Sequence, residues 1–414
     1  MKSMSSTSLV QAACDNHRSW FRARCIAQGG TERNSLGIPW LCSASEAIIP
    51  FPSNSALNSN QWLASVLQQC ETERTSQISC WSATENDSEK LGAILMSHGF
   101  EWGWRPTWMA LNLVQLPVDQ LSDDVQIFMD DSGNTGDPQL PYFNKTEAKI
   151  LGTLLKSRPS HTWRFIAKSK GQVIAHAIAH QAANTPVVIG IYSVGVLPQY
   201  RNRGIGRAIT LACAKHGRTQ GCLYAVLNAA NEFYKGFGFE TQGLGQTWWM
   251  HGSVGSYITS PKAIDFANAI ATGSLSALDT FRSEQELLTQ PLRCGVTALE
   301  LAAQFKQSSC GEWLLDHGAQ PSILALWDLG LRTRLQELLN ADPNRVNQKL
   351  GRSGATPLHL AILRNDTALA KMLLQALPDL TTTDDEAQST PLGWARYFKR
   401  DEIAALIEQQ IARQ

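Results

Sequence analysis

The sequence predicts two α/β units with mixed sheets, followed by an all-α region made of helical repeats. An apolar stretch at 187–197 leads into the turn Arg201-Asn202-Arg203-Gly204-Ile205-Gly206 and then into a helical pattern at 207–220. The tripeptide Gly-Phe-Glu, followed by Trp-Met, occurs near 100 and again near 239. A Thr-Pro-Leu motif occurs at 356–358 and 390–392, each time before paired helical patterns. Strand, turn and helix signals in this order indicate α/β units first and helical repeats afterwards.

Length, charge and cysteine usage limit the possible functions. A chain of 414 residues is too long for one ordinary domain and predicts two to four. The formal net charge is zero, so we expect no nucleic-acid and no membrane partner. The nine cysteines show no zinc spacing, which predicts free thiols, no bound metal and a reducing compartment. No apolar segment reaches the length of a membrane span and residues 1–20 lack a signal-like apolar core, so a cytoplasmic location is expected.

The glycine-rich turn at 201–206 is typical of an anion site. Glycines let backbone N–H groups approach phosphate oxygens, and a helix N-terminus adds unpaired donors and a positive dipole end. A dinucleotide fingerprint needs a third glycine and a P-loop needs Gly-Lys-Ser/Thr, whereas Arg207-Ala208 follows Gly206 here. The turn therefore predicts a phosphate-bearing ligand of another class, the alternative being a tight turn without a ligand.

Segment 193–206, with its Arg-x-x-Gly-x-Gly turn, resembles the pyrophosphate loop of the GNAT superfamily of N-acetyltransferases. A second apolar strand follows at 222–227, and Phe233-Tyr234 then precedes Gly238-Phe239 at the spacing of the next motif of that family. A predicted hairpin at 163–180 stands before both motifs, as the family order requires. The resemblance places a catalytic GNAT domain at 127–255.

This resemblance implies acetyl-CoA as cosubstrate and assigns roles to individual residues. The backbone of Val196 would donate to the oxyanion, and Tyr234 would donate a proton to the CoA thiolate, unless Tyr234 is only a core aromatic. Asn228 would hold the cofactor arm, or else cap the next helix. The arginines of the turn would bind the phosphates, the alternative being that they form a solvated surface patch. The residues expected to bind the cofactor are Val194, Val196, Arg201, Arg203, Gly204, Ile205, Gly206, Arg207 and Asn228.

The general base that would deprotonate the acceptor is not identified by these motifs. The strand at 190–194, where many members of the family place a carboxylate, contains none. His176 and His180 lie on one face of the neighbouring predicted strand and have a suitable ordinary pKa. Surface or interface histidines are the commoner case at such positions, and a chain of water molecules is a further alternative.

Residues 1–126 resemble a degenerate first copy of the same fold. His98-Gly99-Phe100-Glu101 parallels the later Gly-Phe-Glu, and Trp108-Met109 parallels Trp249-Met250, so both strands are predicted to close the same kind of unit. The first copy has no glycine turn and carries Leu95 where the second carries Tyr234, so it should bind no acetyl-CoA. An unrelated α/β domain is the alternative.

Aromatic side chains and a polar segment lie near the junction of the two copies. Trp102, Trp104 and Trp108 alternate along a predicted strand, which is more typical of a core than of a pocket. The segment 130–138 is polar and contains glycines, which indicates a linker or a loop over the active face.

Residues 261–414 resemble an ankyrin-repeat domain. Thr356-Pro357-Leu358-His359-Leu360-Ala361 matches the hallmark of that repeat, and four or five units are expected to stack. His359 should bond neighbouring backbone, and residues 384–386 should form an exposed loop. The segment 252–256 is predicted to be a mobile join. The full expectation is two GNAT-like mixed-sheet α/β lobes followed by an all-α ankyrin solenoid.

Two functional classes follow from these resemblances. The first is an acetyl-CoA-dependent N-acetyltransferase that acts on an amine of a small molecule or of a protein. The second is a non-catalytic acyl-CoA sensor or scaffold. Ankyrin repeats imply a protein partner or self-association, and an array that only buttresses the lobes is the alternative. The intact glycine turn and Tyr234 favour the enzyme, and the fold does not specify the acceptor.

Overall fold

A computed structural model of the chain describes residues 4–53, 59–84, 88–118, 121, 124–130, 132, 139–229, 232–252, 256–351 and 353–413. These residues form two compact units, Met1–Thr259 and Ser260–Gln414. The expected linker at 130–138 and the join at 252–256 lie partly outside the described residues.

The first unit alternates strands with five α-helices. Its helices are α1 (Ser6–Ala27), α2 (Gln61–Glu73), α3 (Ser88–Ser97), α4 (Lys145–Lys156) and α5 (Ile205–Thr219). Its strands are β1 (Thr31–Ser35), β2 (Ile38–Cys42), β3 (Ala47–Pro50), β4 (Gln77–Ser82), β5 (Glu101–Trp102), β6 (Thr107–Asn112), β7 (Val125–Asp130), β8 (Thr162–Ser169), β9 (Gln172–His180), β10 (Val188–Val196), β11 (Tyr224–Ala229), β12 (Glu240–Leu244) and β13 (Gln246–His251).

The strands form two mixed sheets of similar design. The first sheet has the order β1-β2-β3-β4-β13-β5, and the second has the order β12-β6-β11-β10-β9-β8-β7. Each contains one parallel pair, β3 with β4 and β10 with β11, and in each the chain crosses over through a helix between the two strands. The remaining pairs are antiparallel. This repetition confirms the predicted pair of mixed-sheet α/β lobes.

The two lobes exchange their closing strands, which the sequence does not predict. Strand β6 follows the first Gly-Phe-Glu segment but lies in the second sheet, where Trp108 pairs with Asn228. Strand β13 follows the second such segment but lies in the first sheet, where Trp249 pairs with Ser79. Strands β6 and β13, which carry the two Trp-Met pairs, therefore occupy equivalent positions, and each lies in the sheet of the other copy.

Helix α1 packs against both sheets. Ser5 caps its N-terminus by accepting a hydrogen bond from the Ser8 N–H. Its residues Leu9 and Val10 join a core cluster that includes Trp81 of the first sheet and Val226 of the second. Farther along the helix, Trp20 enters the core of the second sheet. Buried apolar area on two sides of one helix joins the lobes into a single unit.

The second unit is helical throughout its described residues. Its helices are α6 (Pro261–Ala271), α7 (Leu275–Leu278), α8 (Gln285–Thr289), α9 (Ala298–Gln304), α10 (Ser308–Asp316), α11 (Ile323–Asp328), α12 (Arg332–Ala341), α13 (Pro357–Arg364), α14 (Thr367–Gln375), α15 (Pro391–Tyr397) and α16 (Asp401–Ile411). Helices α6 and α7, and the successive pairs from α9 to α16, pack against each other. This architecture confirms the predicted stack of helix pairs.

Hydrogen bonds of His359 connect two successive repeats, as predicted. Nδ1 accepts from the Thr356 N–H at 3.2 Å, and Nε2 donates to the Ser389 carbonyl at 3.0 Å. Thr356 in turn caps α13. The expected exposure of residues 384–386 is wrong for Asp384, whose side chain is buried and accepts from three backbone N–H groups and the Trp394 indole. These donors hold the pKa of Asp384 at about 2 although desolvation opposes them.

The end of the first unit is tied to the first sheet on both sides of the undescribed residues 253–255. The Gly252 N–H bonds the Ser76 carbonyl at 2.9 Å. Tyr257 is 2% exposed, and its N–H donates to Glu71 at 2.7 Å while its hydroxyl donates to the Thr75 carbonyl. The described part of the predicted mobile join is therefore anchored, and the chain leaves the first unit only after Thr259.

Candidate active site

The parallel strands β10 and β11 separate along their length. They pair only where Val188, Ile189 and Gly190 meet Tyr224, Ala225 and Val226. Beyond that point β10 remains bonded to β9, and β11 remains bonded to β6. Since each strand keeps its outer neighbour, the separation leaves a wedge-shaped opening inside the sheet, bounded by the last residues of both strands.

A bulge in β10 faces this opening. The register with β9 shifts between Tyr192 and Gly195, and Ser193 has a left-handed φ of 51°. Gly195 is required at the end of the bulge, because a Cβ atom there would lie 2.5 Å from the Pro141 carbonyl oxygen. Beyond the bulge, Gly195 and Val196 pair again with His176 and Ala175 of β9, and residues 193–196 all line the cavity described below.

The glycine turn connects β10 with α5 and leaves the start of the helix open. Gly204 is the N-cap residue with φ 75°, a conformation that favours glycine. It has no side chain to cap the first turn, and that turn contains no acidic residue. The N–H groups of residues 205–207 thus have no side-chain acceptor among the residues that the structure describes, and no acidic residue of the first turn offsets the positive end of the helix dipole.

Three arginines surround the turn, as the sequence predicts, but they differ in placement. Arg201 donates to the Val196 carbonyl at 3.3 Å, and Arg207 donates to the Val118 carbonyl at 3.4 Å. Arg203 lies over the Tyr200 ring, 5.3 Å from its centroid. Arg201 and Arg207 line the cavity described next, whereas Arg203 does not.

A cavity of about 760 Å³ joins the opening to the glycine turn. It brings together every predicted cofactor-binding residue except Arg203, together with Tyr234. The lining residues that sequence analysis did not assign to the site are Trp104, Pro141, Tyr142, Ser193, Gly195, Tyr200, Asn202, Ala229 and Phe233. None of the described lining residues is acidic, while two are arginines, so the cavity is electropositive and suits an anionic ligand.

Asn228 and Gly206 are two lining residues with defined surroundings. The Asn228 side-chain nitrogen is buried and has no hydrogen-bond partner among the described residues. A buried donor of this kind is costly unless an acceptor is supplied. Gly206 packs beneath Phe233, and an added Cβ atom would lie 3.3 Å from the Phe233 ring. Phe233 itself is 49% exposed, so it covers the turn more than it fills the core.

Tyr234 lies at the edge of an aromatic cluster on the cavity wall. Its ring contacts Phe233, Phe237 and Phe239 with centroid separations of 5.0, 5.7 and 5.8 Å. Burial, with smaller contributions from Tyr142 and Cys213, raises the pKa of Tyr234 to about 12. The phenol therefore stays protonated throughout the neutral range and can act as a proton donor.

The two candidate histidines are buried and are not surface groups. His176 is 0% exposed and donates from Nε2 to the Pro141 carbonyl at 2.9 Å. His180 is 2% exposed and contacts Ser19 and Thr162 through its two ring nitrogens at 3.0 and 2.9 Å. Desolvation lowers the pKa of His176 to about 4 and that of His180 to about 3. Neither histidine lines the cavity, and both stabilise the sheet behind it.

The parallel strands of the first sheet do not separate within the part of the chain that the structure describes. Strands β3 and β4 stay paired up to Pro50 and Trp81, and the Phe51 N–H still bonds the Trp81 carbonyl at 2.9 Å.

Within the described residues, no group of three or more His, Cys, Asp or Glu side chains could hold a metal ion. Among the helices described, none is both long and apolar enough to cross a membrane. All nine cysteines are buried.

Comparison with known families agrees with this geometry. Residues 126–239 match the acetyltransferase (GNAT) family, and residues 353–385 match the ankyrin repeat. No curated protein matches the chain by sequence. The chain therefore contains a GNAT acetyltransferase domain and an ankyrin-repeat region. The first supports an acyl-transfer function in general, and the second supports protein interaction in general.

Solved structures similar to this chain include other GNAT proteins. A GCN5-related N-acetyltransferase from Kribbella flavida has 16% identity and a TM-score of 0.43, with 57% of this chain and 95% of that chain covered. A tandem GNAT protein from the clavulanic acid biosynthesis pathway has 10% identity and a TM-score of 0.42, with 60% and 97% covered. A GCN5-related N-acetyltransferase from Sphaerobacter thermophilus has 14% identity and a TM-score of 0.40, with 54% and 76% covered.

Proposed function

We propose that this chain is an acetyl-CoA-dependent N-acetyltransferase that transfers the acetyl group directly to an amine of a small molecule or protein within a ternary complex. The observation that carries the proposal is the opening between β10 and β11, which leads without interruption to the glycine turn. A thioester held there would supply an activated acetyl group. The chain's own residues would bind it, orient it and manage protons.

The lining fits the chemistry of a CoA ester. Backbone N–H groups of residues 205–207, with Arg201 and Arg207 beside them, are suited to a pyrophosphate. Arg203 would add a more peripheral contact to phosphate. The unpartnered Asn228 nitrogen requires an acceptor, which an amide carbonyl of the pantetheine arm would provide. The backbone of Val194 and Val196 is proposed to bind the same arm as an added strand.

In the proposed reaction, Val196 and Tyr234 each have one role. The amine nitrogen forms a bond to the acetyl carbon as the carbon–sulfur bond breaks, and the amine proton passes to solvent. The Val196 N–H stabilises the charge that develops on the carbonyl oxygen. Tyr234 gives its proton to the departing thiolate and regains one from water. Its raised pKa of about 12 keeps that proton available.

The test combines a binding and a turnover measurement on the full chain. Calorimetric titration with acetyl-CoA should show one site per chain, because the first sheet stays closed at Pro50 and Trp81. Release of CoA should then depend on added primary amines. Absence of acetyl-CoA binding, or two equivalent sites, would contradict the proposal. Binding without amine-dependent CoA release would favour the non-catalytic sensor instead.

The helical repeats are proposed to bind a protein partner or a second copy of the chain. Support for this comes from the ankyrin-repeat match at residues 353–385. Pull-down or analytical ultracentrifugation of the full chain and of a chain without the repeats would test it.

A further inference from the structure

A second cavity, of about 570 Å³, adjoins the first one. It lies between α1, the start of α4 and the bulged part of β10. Tyr142 and Ser193 line both cavities, so the two spaces meet at the bulge. Tyr142 has a left-handed φ of 61° and is 74% exposed, which places an accessible ring at the boundary.

The second cavity contains the single carboxylate found among the described residues that line either space. Glu147 receives two hydrogen bonds from Arg24, at 2.5 and 2.7 Å. This bidentate pair uses one acceptor position on each oxygen, and a carboxylate has about four. The Glu147 side chain is 24% exposed, so its remaining positions can accept from a ligand.

The walls of the second cavity are aromatic. The rings of Trp20 and Tyr192 stack with 4.8 Å between centroids and an angle of 15°. Arg24, the one basic residue in the lining, is neutralised by Glu147 and lies 5.4 Å from the Trp20 ring centroid. Aromatic faces and a carboxylate with spare acceptors attract an ammonium group on an apolar tail. Among the described residues that line this cavity, no basic side chain other than Arg24 is present to bind a carboxylate on the ligand.

We propose that the second cavity binds the amine acceptor, a primary amine with an aryl or alkyl tail and no carboxylate, and that Glu147 binds its ammonium group. The inference rests on the proposed N-acetyltransferase function and names the substrate class of that site. At the shared boundary at Ser193 the ammonium group loses one proton to solvent, and the resulting neutral amine reaches the bulge, where the thioester is proposed to lie. Glu147 is a specificity-determining residue in this arrangement, and Arg24 orients its carboxylate.

The test compares Glu147→Gln with Arg24→Met, using 2-phenylethylamine, hexylamine and phenylalanine as acceptors. Both variants break the same ion pair, but only Glu147→Gln removes the negative charge. We expect Glu147→Gln to raise the KM for 2-phenylethylamine about 10- to 100-fold, the range of a hydrogen bond to a charged group, with the KM for acetyl-CoA unchanged. Arg24→Met should raise the amine KM less than Glu147→Gln does, since it removes the group that orients the carboxylate but leaves the carboxylate itself in place.

The outcomes separate this inference from the proposed function. Equal KM increases in the two variants would mean that Glu147 acts only through its ion pair, and would overturn the inference. An unchanged amine KM in Glu147→Gln, or a wild-type preference for phenylalanine over 2-phenylethylamine, would also overturn it while leaving the transferase proposal intact. A wild-type chain that binds acetyl-CoA but acetylates no amine would overturn both. Acetyl-CoA binding by each variant serves as the control for folding.

Discussion

Gly190 and Val226 are the last residues paired across the parallel strands β10 and β11, and the cavity opens directly beyond them. Helix α1 reaches this point, because Asn16 donates to the His180 carbonyl and to the Tyr192 hydroxyl at 3.2 and 3.0 Å. A side chain at residue 190 would meet the Asn16 amide. The N-terminal helix therefore packs against the sheet where its strands diverge, and it also supplies Trp20 to the second cavity.

Gly206→Glu should abolish acetyl-CoA binding while the fold is retained. The new side chain would meet Phe233 and Val196, and its negative charge would lie at the helix N-terminus proposed for the phosphates. Gly236→Glu is a matched control, since a Cβ atom at that position would meet nothing within 4 Å. Calorimetry with acetyl-CoA and a thermal melt would measure both effects. Unchanged affinity in Gly206→Glu would show that the turn does not bind the cofactor.

Tyr234→Phe should lower turnover about 10²- to 10⁴-fold, the usual contribution of a positioned proton donor, with little change in acetyl-CoA affinity. The ring packing against Phe237 and Phe239 is kept, so only the proton is lost. Because the pKa of Tyr234 is raised to about 12, wild-type turnover should not fall between pH 9 and 10.5 through ionisation of this group. Variant activity within about twofold of wild type would return Tyr234 to a packing role.

Most of the residues that line the cavity belong to two stretches of the chain, 193–207 and 228–234, that carry strong local sequence signals, whereas Trp104, Pro141 and Tyr142 come from elsewhere in the chain. The turn at 201–206 and the stretch around Tyr234 fold through local hydrogen bonds and contacts, so their spacing alone indicates the site. The exchange of β6 and β13 is not predictable in this way, since both strands contain Trp-Met and are buried along most of their length, so their sequences do not indicate which sheet each one joins. Nor does any local signal indicate that Trp20 and Glu147, which are far apart in sequence, line one cavity.

Buried histidines should make the first unit less stable in mild acid. Desolvation holds the pKa of His17, His176 and His180 at about 3, about 4 and about 3, below the ordinary 6.5. Because the folded state favours the neutral form of each histidine, protonation favours the unfolded chain. The contribution of these histidines to the free energy of unfolding is therefore complete above pH 6.5 and is lost as the pH falls toward 4 and 3. Each group contributes on the order of 3 kcal/mol over that range.

Urea denaturation at pH 7.5 and pH 5 measures this loss of stability. We expect a lower transition midpoint at pH 5 in the wild type, and a smaller decrease in His176→Gln, whose side chain does not titrate. Lys371→Gln, in the second unit, changes a charge without removing a buried titrating group and should behave like wild type. Equal decreases in the wild type and His176→Gln would mean that His176 is solvated enough to titrate normally.

A chain that ends at Thr259 should fold and bind acetyl-CoA, whereas a chain that ends at Gly252 should be less stable. The longer chain keeps Tyr257, whose side chain is 2% exposed, and Thr259, whose hydroxyl donates to the His98 carbonyl at 2.7 Å. Removing a buried aromatic side chain of this size costs on the order of 3 kcal/mol.

The chain that ends at Thr259 should also keep its activity, because Met1–Thr259 is a compact unit. Removing the repeats should leave turnover of 2-phenylethylamine intact and abolish only partner binding or self-association. Thermal melts and CoA-release assays on both chains would measure this. Aggregation of the Thr259 chain, or normal acetyl-CoA binding without turnover, would instead mean that the repeats help to form the active site.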